Sequence, residues 1–131
     1  MTEYRFSKDD IPERRSPEGV GRFGRLLFDP KVIPGAHCSM AILRYDAGGI
    51  GPAHEHESEV EVFFGLQGVG EIEFLGKAHR LEPGIAIYVP PKTRHLTRNV
   101  GDGELEFVCF FAPAIDLSFI RGWGGGSQTE R

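Results

Sequence analysis

The chain has 131 residues, 40% hydrophobic and 26% charged, which suits one compact domain able to bury a core without disulfides. Its formal charge of −4, from 15 basic and 19 acidic residues, argues against nucleic acid as a partner, because phosphate binding needs a basic surface. The longest apolar run, residues 107–115, is too short to span a membrane, and the opening MTEYRFSKDD has no charged-then-apolar leader pattern, so a cytoplasmic location is expected.

Residues 1–24 are polar, hold Pro12 and Pro17, and read as an N-terminal arm that can carry an edge strand. They include GVGRFG, Gly19 to Gly24, which spells the G-x-G-x-x-G of dinucleotide-binding folds. That fingerprint needs a strand before it and a helix after it. Here RRSPE precedes, and RLLFDP, a short strand ended by Pro30, follows, so the nucleotide reading is set aside. Residues 25–123 are taken as a single barrel domain. Short strands are predicted over 25–28, 39–45, 60–67, 69–75, 77–81, 85–89, 95–99 and 105–111, with a turn at Asp46-Ala47-Gly48-Gly49 after the second. Eighteen Gly and nine Pro supply such turns, and the pattern points to an all-β sandwich or barrel. Residues 113–123 form a short helix or a final strand, and residues 124–131 read as a flexible tail. FVCFF and VFFGLQ are apolar on both faces, whereas one small barrel has one interior. A homodimer built by sheet packing is the expected cover for the second face.

The chemistry concentrates in HEHESEVE, residues 54–61. On a strand, His54 and His56 share a face, so both imidazoles can meet one metal ion. Imidazole with carboxylate suits Fe, Mn, Ni, Co, Cu or Zn. Glu55 and Glu57 alternate with the histidines and point away. Glu61 has the wrong parity on an unbroken strand, but a turn over residues 57–60 resets it. It opens an apolar strand, where a carboxylate is costly unless paired or metal-bound. Glu61 is therefore the leading carboxylate and Glu59 the alternative. His37 and His79 have no partner at ligand spacing and read as structural or exposed. Cys38 and Cys109 lie far apart and read as apolar core residues. Lys92, Arg94 and Arg98 are simplest as solvated cations, with an anionic substrate at the rim as their functional reading.

These residues resemble the cupin superfamily. Its first motif runs Gly, five residues, His-x-His, three or four residues, Glu, six residues, Gly; here it is Gly48, GIGPA, His54-Glu55-His56, ESEV, Glu61, VFFGLQ, Gly68. The second runs Gly, five residues, Pro-x-Gly, two residues, His, three residues, Asn; here it is Gly84, IAIYV, Pro90-Pro91-Lys92, TR, His95, LTR, Asn99, with Lys92 in place of the usual Gly. The resemblance implies an antiparallel jelly-roll β-barrel with a site inside its mouth. It implies that His54, His56, Glu61 and His95 hold a divalent transition metal, Fe, Mn, Ni or Zn. It also implies a dioxygenase, decarboxylase, isomerase or lyase acting on a small polar molecule or organic acid. The alternative is a non-enzymatic module that binds or senses a small molecule. Tyr45, Tyr88, His37 and His79 are the candidates for proton transfer.

Overall fold

Alternation along the last strand shows where the interior lies. From Leu105 to Ala112, every second side chain, Leu105, Phe107, Cys109 and Phe111, is buried, and the residues between are half-buried. This is the period of two that a strand with one core face must show. The computed structural model describes residues 1–124 and contains nine strands among them: β1 (Arg14–Arg15), β2 (Val20–Phe28), β3 (Ser39–Ile50), β4 (Val60–Gln67), β5 (Gly70–Phe74), β6 (Lys77–Leu81), β7 (Ala86–Val89), β8 (Leu96–Asn99) and β9 (Leu105–Ala112). One short helix, α1 (Ser118–Arg121), follows. The strands form a nearly closed antiparallel barrel in the order β6-β5-β8-β3-β9-β4-β7, with β2 beside β3 and β1 beside β2. The expected all-β jelly roll is thus the fold of the chain. No helix among the described residues is long and apolar enough to cross a membrane.

Two predictions need correction. The turn expected at residues 46–49 is strand instead: β3 runs on to Ile50, pairing with β9 over Ser39–Tyr45 and with β8 at Ile50. The strand bends there rather than stopping. The Asn99 amide lies within hydrogen-bond reach of the carbonyls of Tyr45 (3.2 Å) and Asp46 (3.0 Å), where the partner strand changes from β9 to β8. A side chain has taken over carbonyls that the ladder leaves at the corner. The second correction concerns β2, which begins at Val20 rather than Arg25 and absorbs most of GVGRFG. The motif serves packing: a Cβ at Gly24 would lie 2.8 Å from the Trp123 ring.

The segment after β9, read as helix or strand, is α1 with its flanks. Two buried polar side chains dock it. Asp29 Oδ2 accepts the Leu117 amide at 2.8 Å, and Ser39 Oγ exchanges hydrogen bonds with the amide and carbonyl of Ile115 at 2.9 and 2.7 Å. Leu117, Ile120 and Trp123 then join the core. The proposed flexible tail, from residue 125 onward, lies outside the described residues; Gly124 forms a bridge with Arg15.

The outer face of β3, β9, β4 and β7 is also apolar. Met40, Phe110, Val62 and Tyr88 are neighbours in register across the four strands, and Phe64, Leu66 and Tyr88 are exposed.

Candidate metal centre

Three strands' worth of sequence meet at Glu61. It is the second residue of β4, on the same face as Phe63, and is 3% exposed. His54 and His56 precede β4 and are separated from it by a bend at residues 57–58, the break that parity required. His95 stands just before β8 and pairs with His54 as an isolated antiparallel bridge, with backbone bonds of 3.0 and 2.9 Å. That bridge brings the two halves of the motif pair into register.

The Nε2 atoms of all three imidazoles point at one oxygen, Glu61 Oε1: His95 at 2.8 Å, His56 at 3.2 Å and His54 at 3.6 Å. One ligand atom from each of the four residues lies within 4.8 Å of the others. Bonds of about 2.1 Å to a shared ion put neighbouring ligand atoms roughly 3.0–3.4 Å apart, so this spacing fits a metal at the centre. The opposite sides of two rings are already committed. His54 Nδ1–H donates to the Pro52 carbonyl at 3.0 Å, and His95 Nδ1–H to the Thr93 carbonyl at 2.9 Å. A carbonyl only accepts, so each Nδ1 carries a proton, and in the neutral ring each Nε2 presents a lone pair. Neutral imidazoles and a carboxylate converging in this way need a cation between them. Without a metal, protons play that part. Burial works against the Glu61 carboxylate, but the imidazoles of His54, His56 and His95 around it overcome that and hold its pKa well below the ordinary 4.5. Burial also opposes the charged form of His95, yet Glu61 prevails and raises it above 6.5.

The other sequence candidates are placed elsewhere. Glu59 is half-buried and receives the Ser58 hydroxyl at 3.1 Å, outside the cluster. His37 is exposed; His79 stacks on Phe74 at 4.1 Å with Nδ1 toward the Ile72 carbonyl. Tyr88 faces outward. Of the four proton-transfer candidates only Tyr45 reaches the cavity that opens from the centre, a space of about 450 Å³. Burial pushes its hydroxyl up to about 12, against the opposing pull of Arg22, so it stays protonated as a donor. Cys109 also lines this cavity, and burial beside Glu61 keeps its thiol protonated.

None of the surface cations singled out from sequence lines the cavity. Arg98 pairs with Glu71 and Glu73, Lys92 approaches Glu57 at 3.8 Å, and Arg94 is exposed. Sequence reasoning missed the arginine that does line it, Arg22. Its signal was present but faint: a charged residue sharing strand parity with Leu26, a core position.

Comparison with known proteins gives one consistent outcome. The family model for the cupin domain matches residues 41–111. An uncharacterised protein of Methanocaldococcus jannaschii is 29% identical over 93 residues, covering 71% of this chain and 74% of its own. A germin-like protein of Arabidopsis thaliana is 30% identical over 99 residues, 68% of this chain but 45% of its own, so the chain spans less than half that relative's length. Among solved structures, a predicted oxalate decarboxylase of Thermotoga maritima superposes with a TM-score of 0.75 over 84% of this chain and 99% of its own, at 23% identity.

Proposed function

This chain belongs to the cupin family, and from that premise we propose that it is a metalloenzyme whose centre is held by His54, His56, Glu61 and His95. Its reaction class is dioxygenase, decarboxylase, isomerase or lyase, with a small polar molecule or organic acid as substrate. The observation that carries this reading is the convergence of three Nε2 atoms on Glu61 Oε1, two of them with Nδ1 committed to backbone carbonyls. Fe, Mn, Ni or Zn fits this donor set. Such an ion supplies Lewis acidity and a place to orient substrate oxygens. The chain's own residues do the rest. Phe63 and Phe111, edge-on to His95 and His56, keep water from the rings. Tyr45 offers a hydroxyl proton to a bound ligand.

The homodimer and the cytoplasmic location belong to the same proposal. The apolar outer face of β9, β4 and β7 supports the first, and light scattering of the purified protein tests it; a monomer at high concentration sinks it. The function is tested by metal analysis of protein purified without chelator, then by turnover with catechols, diketones, thiols and keto acids. We expect about one metal ion per chain and turnover of one class. Failure to take up metal at micromolar concentration removes the centre. Tight binding of one compound without turnover of any makes the chain a binding module instead.

A further inference from the structure

The cavity that opens from the candidate metal centre also holds a cation. Arg22 lies on β2, is 9% exposed, and lines the same cavity as His54, His56 and Glu61. Its Nε–H donates to the Tyr45 hydroxyl at 3.1 Å, and Nη1 donates to Ser16 Oγ at 2.9 Å. Ser16 Oγ is itself fixed by the Glu18 backbone, donating to its carbonyl at 2.8 Å and accepting from its amide at 3.1 Å. The guanidinium carbon sits 4.8 Å from the Trp123 ring centroid. Every one of these partners is neutral. Arg44 meets Glu13, Asp46 and Glu104; Arg98 meets Glu71 and Glu73; Arg121 meets Asp29. Among the described residues no carboxylate stands within ion-pair distance of Arg22.

A guanidinium has five N–H donors in a rigid fork and cannot shed its charge. Among the described residues only its Nε and Nη1 are bonded to protein, so donors remain on a group removed from water. A buried charge without a counter-charge is costly and is retained where something pairs with it. The surroundings keep this arrangement open. A Cβ at Gly51 would fall 2.5 Å from the Tyr45 hydroxyl oxygen and 3.2 Å from Arg22 Nε, so the absence of a side chain there is what admits the pair.

We infer that Arg22 binds a carboxylate of the ligand, and that the ligand is an organic acid with an apolar body. The carboxylate takes the free edge of the Arg22 fork, with the Tyr45 hydroxyl beside it. The body lies against Trp123, Leu117 and Phe107, which line the same cavity. That the acid's other end reaches the metal centre rests on the function proposed above; the carboxylate site itself does not. A carboxylate fits better than a phosphate. Arg22 is the single arginine or lysine on the described lining, and Glu18 lies at its edge, whereas a doubly charged phosphate calls for more than one cation.

The chain has one tryptophan, so Trp123 fluorescence reports on this end of the cavity. Phenylacetate and phenylacetamide share a shape and differ in charge. Titrated into the metal-loaded protein, the acid is expected to bind at least about 10-fold tighter than the amide. In Arg22→Gln the acid loses about 10-fold to 100-fold and the amide is unchanged. Should Arg22→Gln not fold, Gly51→Ala crowds the guanidinium while keeping its charge, and it must weaken the acid more than the amide. The same titrations after metal removal separate the two ideas. A preference for the acid that persists without metal and vanishes in Arg22→Gln supports this inference, even if metal analysis has sunk the metalloenzyme. A preference that vanishes with the metal and survives in Arg22→Gln assigns the carboxylate to the metal and overturns the inference alone. Equal binding of acid and amide to the unaltered protein, or binding of neither, overturns it as well.

Discussion

On one part of the cavity lining a carboxylate, Glu61, is 3% exposed and surrounded by three imidazoles; on another a guanidinium, Arg22, is 9% exposed and meets two hydroxyls and an indole. Both are buried charges, yet they are managed in opposite ways. Around Glu61 the protein sets three imidazoles, two of them oriented by backbone carbonyls, so that a proton or a metal ion completes the charge. Around Arg22 it supplies geometry, and no carboxylate among the described residues stands within ion-pair distance. The first arrangement asks for a cation that stays; the second suits an anion that comes and goes. The contrast teaches that burial alone does not identify a ligand site: what matters is whether the protein's own atoms complete the charge.

The strongest way to break this contrast is Glu61→Gln. The change keeps the shape and removes the charge from the centre. Substituting residues that merely orient metal ligands costs about 10- to 100-fold in metal affinity, so loss of the ligand itself should exceed about 100-fold. Isothermal titration with Zn²⁺ or Mn²⁺ measures it. The fluorescence preference of Trp123 for acid over amide should survive in this variant. Loss of both together means that the two ends are one electrostatic unit, and the contrast fails.

A smaller effect, in the pH dependence of stability, sharpens the same contrast. In chelated protein the Glu61 pKa is depressed, so its contribution is present above the unfolded value near 4.5 and is lost as pH falls through the folded one. The His95 pKa is raised, so its contribution is full below 6.5 and is lost as pH rises through the folded value. Metal-free protein is therefore most stable between those two ordinary values and weakens above them. Metal requires neutral imidazoles, and its binding releases protons, so its stabilisation grows over the range where the proton's fades. Thermal melts with and without chelator, between about pH 5 and 8, should show opposite slopes above pH 6.5. Parallel slopes would mean that His95 and Glu61 do not exchange a proton for a metal ion.

The two ends were unequally legible in the sequence. The spacing of His54, His56, Glu61 and His95 is local and typed, so a linear pattern carries it; strand parity even required the bend before Glu61. The Arg22 end is assembled from β2, the corner of β3 at Tyr45 and Gly51, and the segment around Trp123, parts that no short motif joins. Its placement rests on Asp29 and Ser39 reaching the backbone of residues 115–117 from positions 76 to 88 residues away in sequence. The corner itself was misread because Asp-Ala-Gly-Gly carries turn chemistry. The Asn99 side chain, 53 residues further on, satisfies the Asp46 carbonyl and lets the strand continue. Composition and alternation reveal strands; they do not reveal which distant polar atom repairs a bend.

The smallest expected effect tests the one departure from the family motif. Lys92 has a φ of 59°, the left-handed region, at the position where the motif has glycine. A non-glycine residue there costs about 1 kcal/mol or slightly more. Its amide donates to the His56 carbonyl at 2.7 Å, so the turn before His95 is tied to a candidate ligand by a backbone bond that any residue can make. The Lys92 ammonium reaches Glu57 at 3.8 Å with both groups largely exposed, a pair worth little. Lys92→Gly relieves the strain but frees the unfolded chain, so a net gain of about a few tenths of a kcal/mol is expected by urea denaturation. Metal affinity should not move. Lys92→Ala keeps the strain and should gain nothing. If Lys92→Gly instead weakens metal binding tenfold, the strained turn is part of how His56 is aimed, and the metal end is less self-sufficient than its backbone-anchored imidazoles indicate.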